Sequence, residues 1–266
     1  MPDYEHITLT TVEDGVLLAT LDRPEKYNAL TIGMFPAISA FCHDVARDLS
    51  VRSVILTGAG KGFCSGLDLE AAAQLPTYSA NEYIRRQEVF SDVAAAMRRC
   101  TTPIIAAVNG AASGAGFSLA LAADVRIAST AAKFNAAFIR IGLTGGDVGS
   151  SYLLPRIVGM GIATEILITG RFILPDEALR IGLVSRVVEP AELIESALQT
   201  ARAIAANTPL GVRLTKQVLN TNIDASSIEV ALELETRNQT LAIQNADMQE
   251  ALGAFVEKRA PKFTDN

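Results

Sequence analysis

An α/β fold with a largely parallel sheet is predicted by three features of the 266-residue sequence. Short β-rich runs alternate with helical runs through the first two thirds, an order that implies right-handed crossovers. Residues 103–124 join a short apolar run to a glycine-rich turn and then to an alanine-rich run that is apolar on every side. That pattern is a buried strand delivering backbone amides to the start of an enclosed helix. From about residue 190 the pattern becomes helical, so a core over 1–189 is expected to be followed by a helical region over 190–266.

Taken in order, residues 6–11 and 16–21 flank Glu13-Asp14-Gly15 and predict a hairpin. A polar loop, Arg23-Pro24-Glu25-Lys26-Tyr27-Asn28-Ala29-Leu30, leads to Thr31, which can cap a helix running to about Asp48 with Phe35, Ile38, Phe41, Val45 and Leu49 roughly at helical spacing. Residues 53–57 form a short buried strand, and a helix over about 81–99 precedes the strand at 104–108. Residues 125–129 supply another strand, and 134–149 are irregular. Helices are expected at 152–158, 162–168, 176–181, 190–206 and 209–220, with two more between 226 and 258. Asn207-Thr208-Pro209 is a stop and restart, since proline suits a first helical turn.

Composition narrows the function. With 49% hydrophobic and 20% charged residues the chain can bury one sizeable core. A net charge of −6 without a long basic run argues against a nucleic-acid partner. His6 and His43 lie in no cluster with metal-ligand spacing, so neither a bound metal nor a Ser-His-Asp triad is expected. Residues 101–123 carry no charge, but Pro103, Asn109, Ser113 and Ser118 interrupt them, which argues for a buried strand and helix rather than a membrane span. The first residues lack a secretory pattern, and Cys42, Cys64 and Cys100 pair neither by number nor by spacing, so a cytoplasmic, reducing setting is expected.

Two glycine-rich turns carry the chemistry. Gly58-Ala59-Gly60-Lys61-Gly62-Phe63 and Gly114-Ala115-Gly116 both fail the dinucleotide spacing, and Gly62-Phe63-Cys64-Ser65-Gly66 has its serine one place late for a nucleophile elbow. The bland alternative is two tight loops. Asn109-Gly110, Gly114-Ala115-Gly116, Leu121 and Ala123-Asp124-Val125 together resemble the signature of the crotonase (enoyl-CoA hydratase/isomerase) superfamily. The resemblance continues through residues 23–30, through Phe63-Cys64-Ser65-Gly66-Leu67-Asp68-Leu69, through Gly182-Leu183-Val184 and through Ala254-Phe255-Val256-Glu257-Lys258-Arg259. It implies a spiral of ββα units with a C-terminal helical trimerisation region, assembled as a homotrimer or a dimer of trimers. It also implies an acyl-CoA substrate and no separate cofactor. The thioester oxygen would sit between the backbone N–H groups of Ser65 and Ala115. Coenzyme A would meet Lys26, Ala29, Ser65, Gly66, Leu67, Asp68 and Leu69, with Phe255 and Lys258 reaching it from a neighbouring subunit.

One departure directs the chemistry. The resemblance places the two glutamates of a hydratase at Ser118 and Phe138, and neither side chain can transfer a proton as a carboxylate does. Asp147, in Gly145-Gly146-Asp147-Val148-Gly149, falls where dienoyl-CoA isomerases and dehalogenases of the superfamily carry a functional aspartate. Three roles are open to it: a proton shuttle, a nucleophile, or a helix N-cap. The favoured function is enoyl- or dienoyl-CoA isomerisation through a stabilised enolate. Enoyl-CoA hydration, an aspartate-nucleophile dehalogenase or thioester hydrolase, and a non-catalytic acyl-CoA-binding protein are the alternatives. Leu75, Tyr78, Tyr83, Ile84 and Phe90 are expected to shape the acyl pocket.

Overall fold

The computed structural model describes residues 1–265. The hairpin forms from β1 (Ile7–Glu13) and β2 (Val16–Leu21), antiparallel to one another. Helix α1 (Met34–Arg47) follows, and Thr31 serves its start by accepting a hydrogen bond from the Met34 N–H at 3.2 Å. Next come β3 (Ser53–Gly58), β4 (Gly62–Cys64), the short α2 (Leu69–Ala72) and α3 (Ala80–Arg99). Ser79 and Glu82 close a reciprocal capping box at the start of α3. The central segment contains β5 (Ile104–Val108), β6 (Ala111–Ser113) and α4 (Ala115–Ala122). After β7 (Val125–Ser129) and β8 (Lys133–Asn135) a 3₁₀ turn spans Ala137–Ile141. The remainder is α5 (Ser150–Val158), α6 (Met160–Thr169), α7 (Pro175–Arg180), β9 (Arg186–Val188), α8 (Leu193–Ala205), α9 (Pro209–Asn222), α10 (Ile228–Gln244) and α11 (Ala246–Glu257).

Six strands form one sheet in the order β1-β2-β3-β5-β7-β9, parallel from β2 onward, and β4-β6-β8 form a second, parallel sheet. Three successive segments therefore each give one strand to the large sheet, one short strand to the small sheet, and then helical structure. The chain climbs as a spiral of ββα turns. The small sheet and β9 are absent from the sequence-based expectation. Three-residue strands carry too little periodicity to be read, and Ala111-Ala112-Ser113 looks like part of the glycine turn.

The large sheet is buried on both faces, and its strands sort their side chains by the two-residue period. Val54, Leu56, Ile104, Ala106 and Val108 face the main core with α1, α3 and α4, whereas Ile55, Ile105, Ala107 and Ile127 face Leu193, Ala197 and Ala201 of α8. The helical region expected from residue 190 thus starts with a helix that covers the sheet itself. Packing continues across that boundary, and the chain leaves the sheet only with α9.

Helix α9 is held by a buried ion pair. Lys216, 6% exposed, donates to Asp124 Oδ2 at 2.7 Å and to the Thr102 carbonyl at 3.0 Å, while the same carboxylate oxygen accepts from Ile104 N–H at 2.8 Å. One interaction thereby joins α9 to the entrances of β5 and β7. Burying two charges gains little on its own, but removing one partner strands the other.

All eight residues of α4 are buried, and its first turn lies against the loop after β4. A Cβ on Gly116 would fall inside the van der Waals radius of the Cys64 carbonyl oxygen, and one on Gly66 would lie 2.8 Å from the Ser113 carbonyl oxygen. Gly66 is also left-handed, at φ 97°. The two glycine turns are consequently pressed backbone to backbone.

Two stability tests follow. Lys216→Met should cost about 3 kcal/mol, as breakage of a buried pair does; urea unfolding of the variant measures it, and a loss below about 1 kcal/mol would show the pair to be dispensable. Gly116→Ala should destabilise by more than about 2 kcal/mol through overpacking, although an alanine inside an ordinary helix is favourable. A melting temperature equal to or above that of the unmodified protein would contradict the contact.

Candidate active site

Residues 23–30 and the loop after β4 are locked together from within. Tyr27 and Asn28 adopt left-handed φ values of 49° and 57°. The buried Asn28 side chain accepts from Arg23 N–H at 2.9 Å and donates to the Ala59 and Gly62 carbonyls at 2.9 and 2.8 Å. Arg23 in turn donates to the Ala29 carbonyl at 2.6 Å and pairs with Asp68 at 2.8 Å. Asp68 caps α2 by accepting from Glu70 N–H at 2.9 Å. That backbone hydrogen bond, reinforced by Arg23, holds the Asp68 carboxyl below the usual carboxylate range. Among the residues expected to meet coenzyme A, Ala29 and Asp68 are therefore buried framework, while Lys26 and Leu69 stand on the surface. Lys26 Nζ lies 3.3 Å from Glu70 Oε1 in an exposed pair weak enough for an anionic ligand to displace.

The expected oxyanion donor needs a correction. The Ser65 N–H is spent on the Tyr27 carbonyl at 3.0 Å, and a backbone amide has one hydrogen to donate. Two residues on, Leu67 pairs with Leu30 in a parallel bridge. The bonds belong to its neighbours: Leu30 N–H reaches the Gly66 carbonyl at 2.7 Å, and Asp68 N–H reaches the Leu30 carbonyl at 2.9 Å. In a parallel pairing of this kind the Leu67 N–H points to the opposite side, and among the described residues it has no acceptor.

Ala115, the second expected donor, opens α4. As the first residue of α4 its N–H has no intrahelical acceptor, and Gly114 before it, at φ 52°, brings no side-chain cap. A Cβ on Gly66 would lie 3.5 Å from the Ala115 nitrogen, which places the Leu67 turn beside that amide. The Phe138 ring packs on Gly114, with ring carbons 3.5–3.7 Å from the Cβ position there. Phe138 thus fills space next to the donor pair.

Asp147 is held on several sides. Its Oδ1 accepts from Val148 N–H at 2.7 Å and from Gln87 Nε2 on α3. Its own N–H donates to Ser150 Oγ at 3.0 Å, and its carbonyl accepts from Ser150 N–H at 3.0 Å and from Ser118 Oγ at 3.1 Å. The N-cap of α5 is Gly149, with no side-chain hydrogen bond, so the carboxylate is not spent as a helix cap. Val148, a β-branched residue at φ 47°, stores backbone strain beside it. Burial raises the Asp147 pKa above the ordinary carboxylate value, with the bonds from Val148 and Gln87 opposing the rise. Tyr83, one turn before Gln87 on α3, has its phenol raised by burial and then by the negative charge of Asp147.

The structure brings together Ser65, Gly66, Leu67 and Ala115. Gln87 lies in no motif and is not legible in the sequence; Ser118 stands out there for the acid it lacks, but its hydrogen bond to the Asp147 carbonyl, on a segment remote in sequence, does not. Phe255 and Lys258 lie elsewhere in the single chain. Phe255 is 84% exposed and borders a cleft of about 1160 Å³ between α9, α11 and Pro103. A second cleft, about 970 Å³, borders the Asp147 segment through Ser91, Gly149 and Leu153. The larger cleft is lined by none of the residues of the glycine turns. Among the described residues no group of three or more His, Cys, Asp or Glu side chains could hold a metal ion, and no helix is long and apolar enough to cross a membrane.

Comparison with known proteins agrees with this architecture. The enoyl-CoA hydratase/isomerase family model matches residues 11–266. A "probable enoyl-CoA hydratase" of Mycobacterium bovis is 42% identical over 256 residues, covering 93% of this chain and 88% of that protein. The 1,2-epoxyphenylacetyl-CoA isomerase of Escherichia coli is 36% identical over 257 residues, 96% of this chain and 97% of its own length. The crystal structure of enoyl-CoA hydratase from Bacillus anthracis superimposes with a TM-score of 0.93 at 31% identity, covering 98% of this chain and all of that one, 100%. Spiral, glycine turns and these relatives together establish that the chain belongs to the enoyl-CoA hydratase/isomerase family, the crotonase superfamily of acyl-CoA-processing enzymes.

Proposed function

We propose that this protein isomerises an enoyl- or dienoyl-CoA by moving a proton between two carbons through a thioester enolate. The observation that carries the reading is Asp147, whose backbone Ser118 ties to α4, while Ser118 and Phe138 stand where the resemblance puts the hydratase glutamates. The Leu67 and Ala115 amides would bind the thioester oxygen, each donor supplying about 3 kcal/mol as charge develops there. Asp147 would take the proton from one carbon, leaving the electron pair in the enolate, and return it to another. One carboxylate suffices for both steps. Hydration by two acids would need a second proton-transferring group, and the Ser118 hydroxyl already donates to the Asp147 carbonyl. An isomerase among the relatives supports the reading; hydration remains the second reading because the Mycobacterium bovis relative bears that name.

The reading includes assembly. Leu252, Phe255 and Val256 are exposed on α11, and a neighbouring copy would carry Phe255 and Lys258 to the coenzyme A held near Lys26. The substrate is carried as the CoA thioester, without a further cofactor.

Exchange of acyl α-protons with heavy water, followed by mass spectrometry on phenylacetyl-CoA and 3-hexenoyl-CoA, tests the base. Asp147→Asn should slow exchange about 10³-fold and change the apparent KM little. The base works deprotonated, so activity should fall as pH falls through a pKa above the ordinary aspartate value, and the variant should lack that acid limb. Undiminished exchange by Asp147→Asn, or rapid hydration of crotonyl-CoA without isomerisation, would overturn the reading.

A further inference from the structure

We infer that Gln87 is a positioning residue that holds Asp147 Oδ1 and leaves Oδ2 as the oxygen that exchanges the proton. Gln87 donates through Nε2 to Asp147 Oδ1, which also receives the Val148 N–H, and no hydrogen bond from a described residue engages Oδ2. A carboxylate with one oxygen doubly bonded cannot rotate about its terminal torsion without breaking both bonds. The second oxygen is therefore presented in one direction.

The glutamine is itself anchored. Its Nε2 lies 3.4 Å from Ser91 Oγ one turn further along α3, and Ala94 on the same side of that helix lies 3.2 Å from the Cβ position of Gly149. Residues 83, 87, 91 and 94 thus form the strip of α3 that meets the Asp147 segment. Gln87 from α3 and the Val148 amide meet the carboxylate and Tyr83 from α3 feels its charge, while Ser118 from α4 and Ser150 from α5 hold the Asp147 backbone. Tyr83 is the titratable one among these, and it adds no positive charge. Holding the ionised form of Asp147 in a partly buried place consequently falls to two neutral donors, Gln87 and the Val148 amide.

This inference rests on Asp147 being the proton-transferring group, and the test separates the two. The first readout needs no substrate: titration of the Asp147 carboxyl by carbon-13 NMR in aspartate-labelled protein, with the signal identified by its loss in Asp147→Asn. Gln87→Leu should move that titration upward by about one pH unit, and Gln87→Glu, which puts a second carboxylate beside the first, should move it further. Where Gln87→Leu fails to fold, Gln87→Glu decides alone. The second readout is α-proton exchange of phenylacetyl-CoA against pH. Gln87→Leu should shift the acid limb upward by the same interval and lower the plateau about tenfold, with the apparent KM changed less than kcat. An unmoved titration in both Gln87 variants overturns the inference, as does a loss of exchange expressed wholly in KM. If Asp147→Asn abolishes exchange while Gln87→Leu keeps limb and plateau, only the Gln87 inference falls. If Asp147→Asn exchanges at the unmodified rate, the assignment of the base falls with it.

Discussion

Gly116 at the start of α4 and the Cys64 carbonyl at the end of β4 are in contact with no room for a side chain between them, and Gly66 meets the Ser113 carbonyl in the same manner. This double backbone contact sets the separation of the two peptide segments that carry the Leu67 and Ala115 amides. A single methyl group at either glycine would force the turns apart. The spiral serves the contact. Successive ββα turns stack β4 against β6, and Asn109, donating to the Gly58, Gly60 and Gly62 carbonyls at 2.9, 3.0 and 3.1 Å, pins one turn to the next. Backbone donors fixed this firmly require no reorganisation when charge develops on a bound oxygen, which is the condition under which such donors contribute most.

Around that rigid centre the protein accepts local cost. Val148 is held at a left-handed φ that a β-branched residue rarely adopts, and the carboxylate beside it is partly desolvated. Hydrogen bonds from α3, α4 and α5 over-determine the segment and keep it in place. Ser118 shows how a change of residue can change a role. Where the resemblance puts a proton-transferring acid, this chain has a hydroxyl whose hydrogen bond reaches the backbone of the residue read here as the base. Phe138 likewise exchanges an acid for a ring that packs on Gly114.

Much of the architecture is legible in the sequence. The large-sheet strands from β2 to β7 follow from short apolar runs between turn residues, and their alternating contribution to the two faces follows from the pleat. The enclosed helix α4 was marked by its lack of a polar side. Less could be read of the small sheet, whose strands of three residues have no period to detect. The helical region from residue 190 looked uniform in sequence, yet α8 belongs to the sheet and α9 is the helix that Lys216 ties back to Asp124.

The residue types of the candidate site were determined by the sequence alone: two glycine turns, an unpolar helix, and an aspartate, Asp147, with Ser118 and Phe138 where the resemblance puts two glutamates. Which amides are available was decided only by the tertiary structure. Ser65 and Leu67 are equivalent in local chemistry, but long-range pairing gives the Ser65 hydrogen to Tyr27 and turns that of Leu67 away from Leu30. A backbone group carries no side-chain signature, so its state is set by partners distant in the chain. The same holds for Gln87. An amide on a polar stretch of α3 is unremarked in sequence, and it meets the Asp147 carboxylate because folding brings that segment across to it.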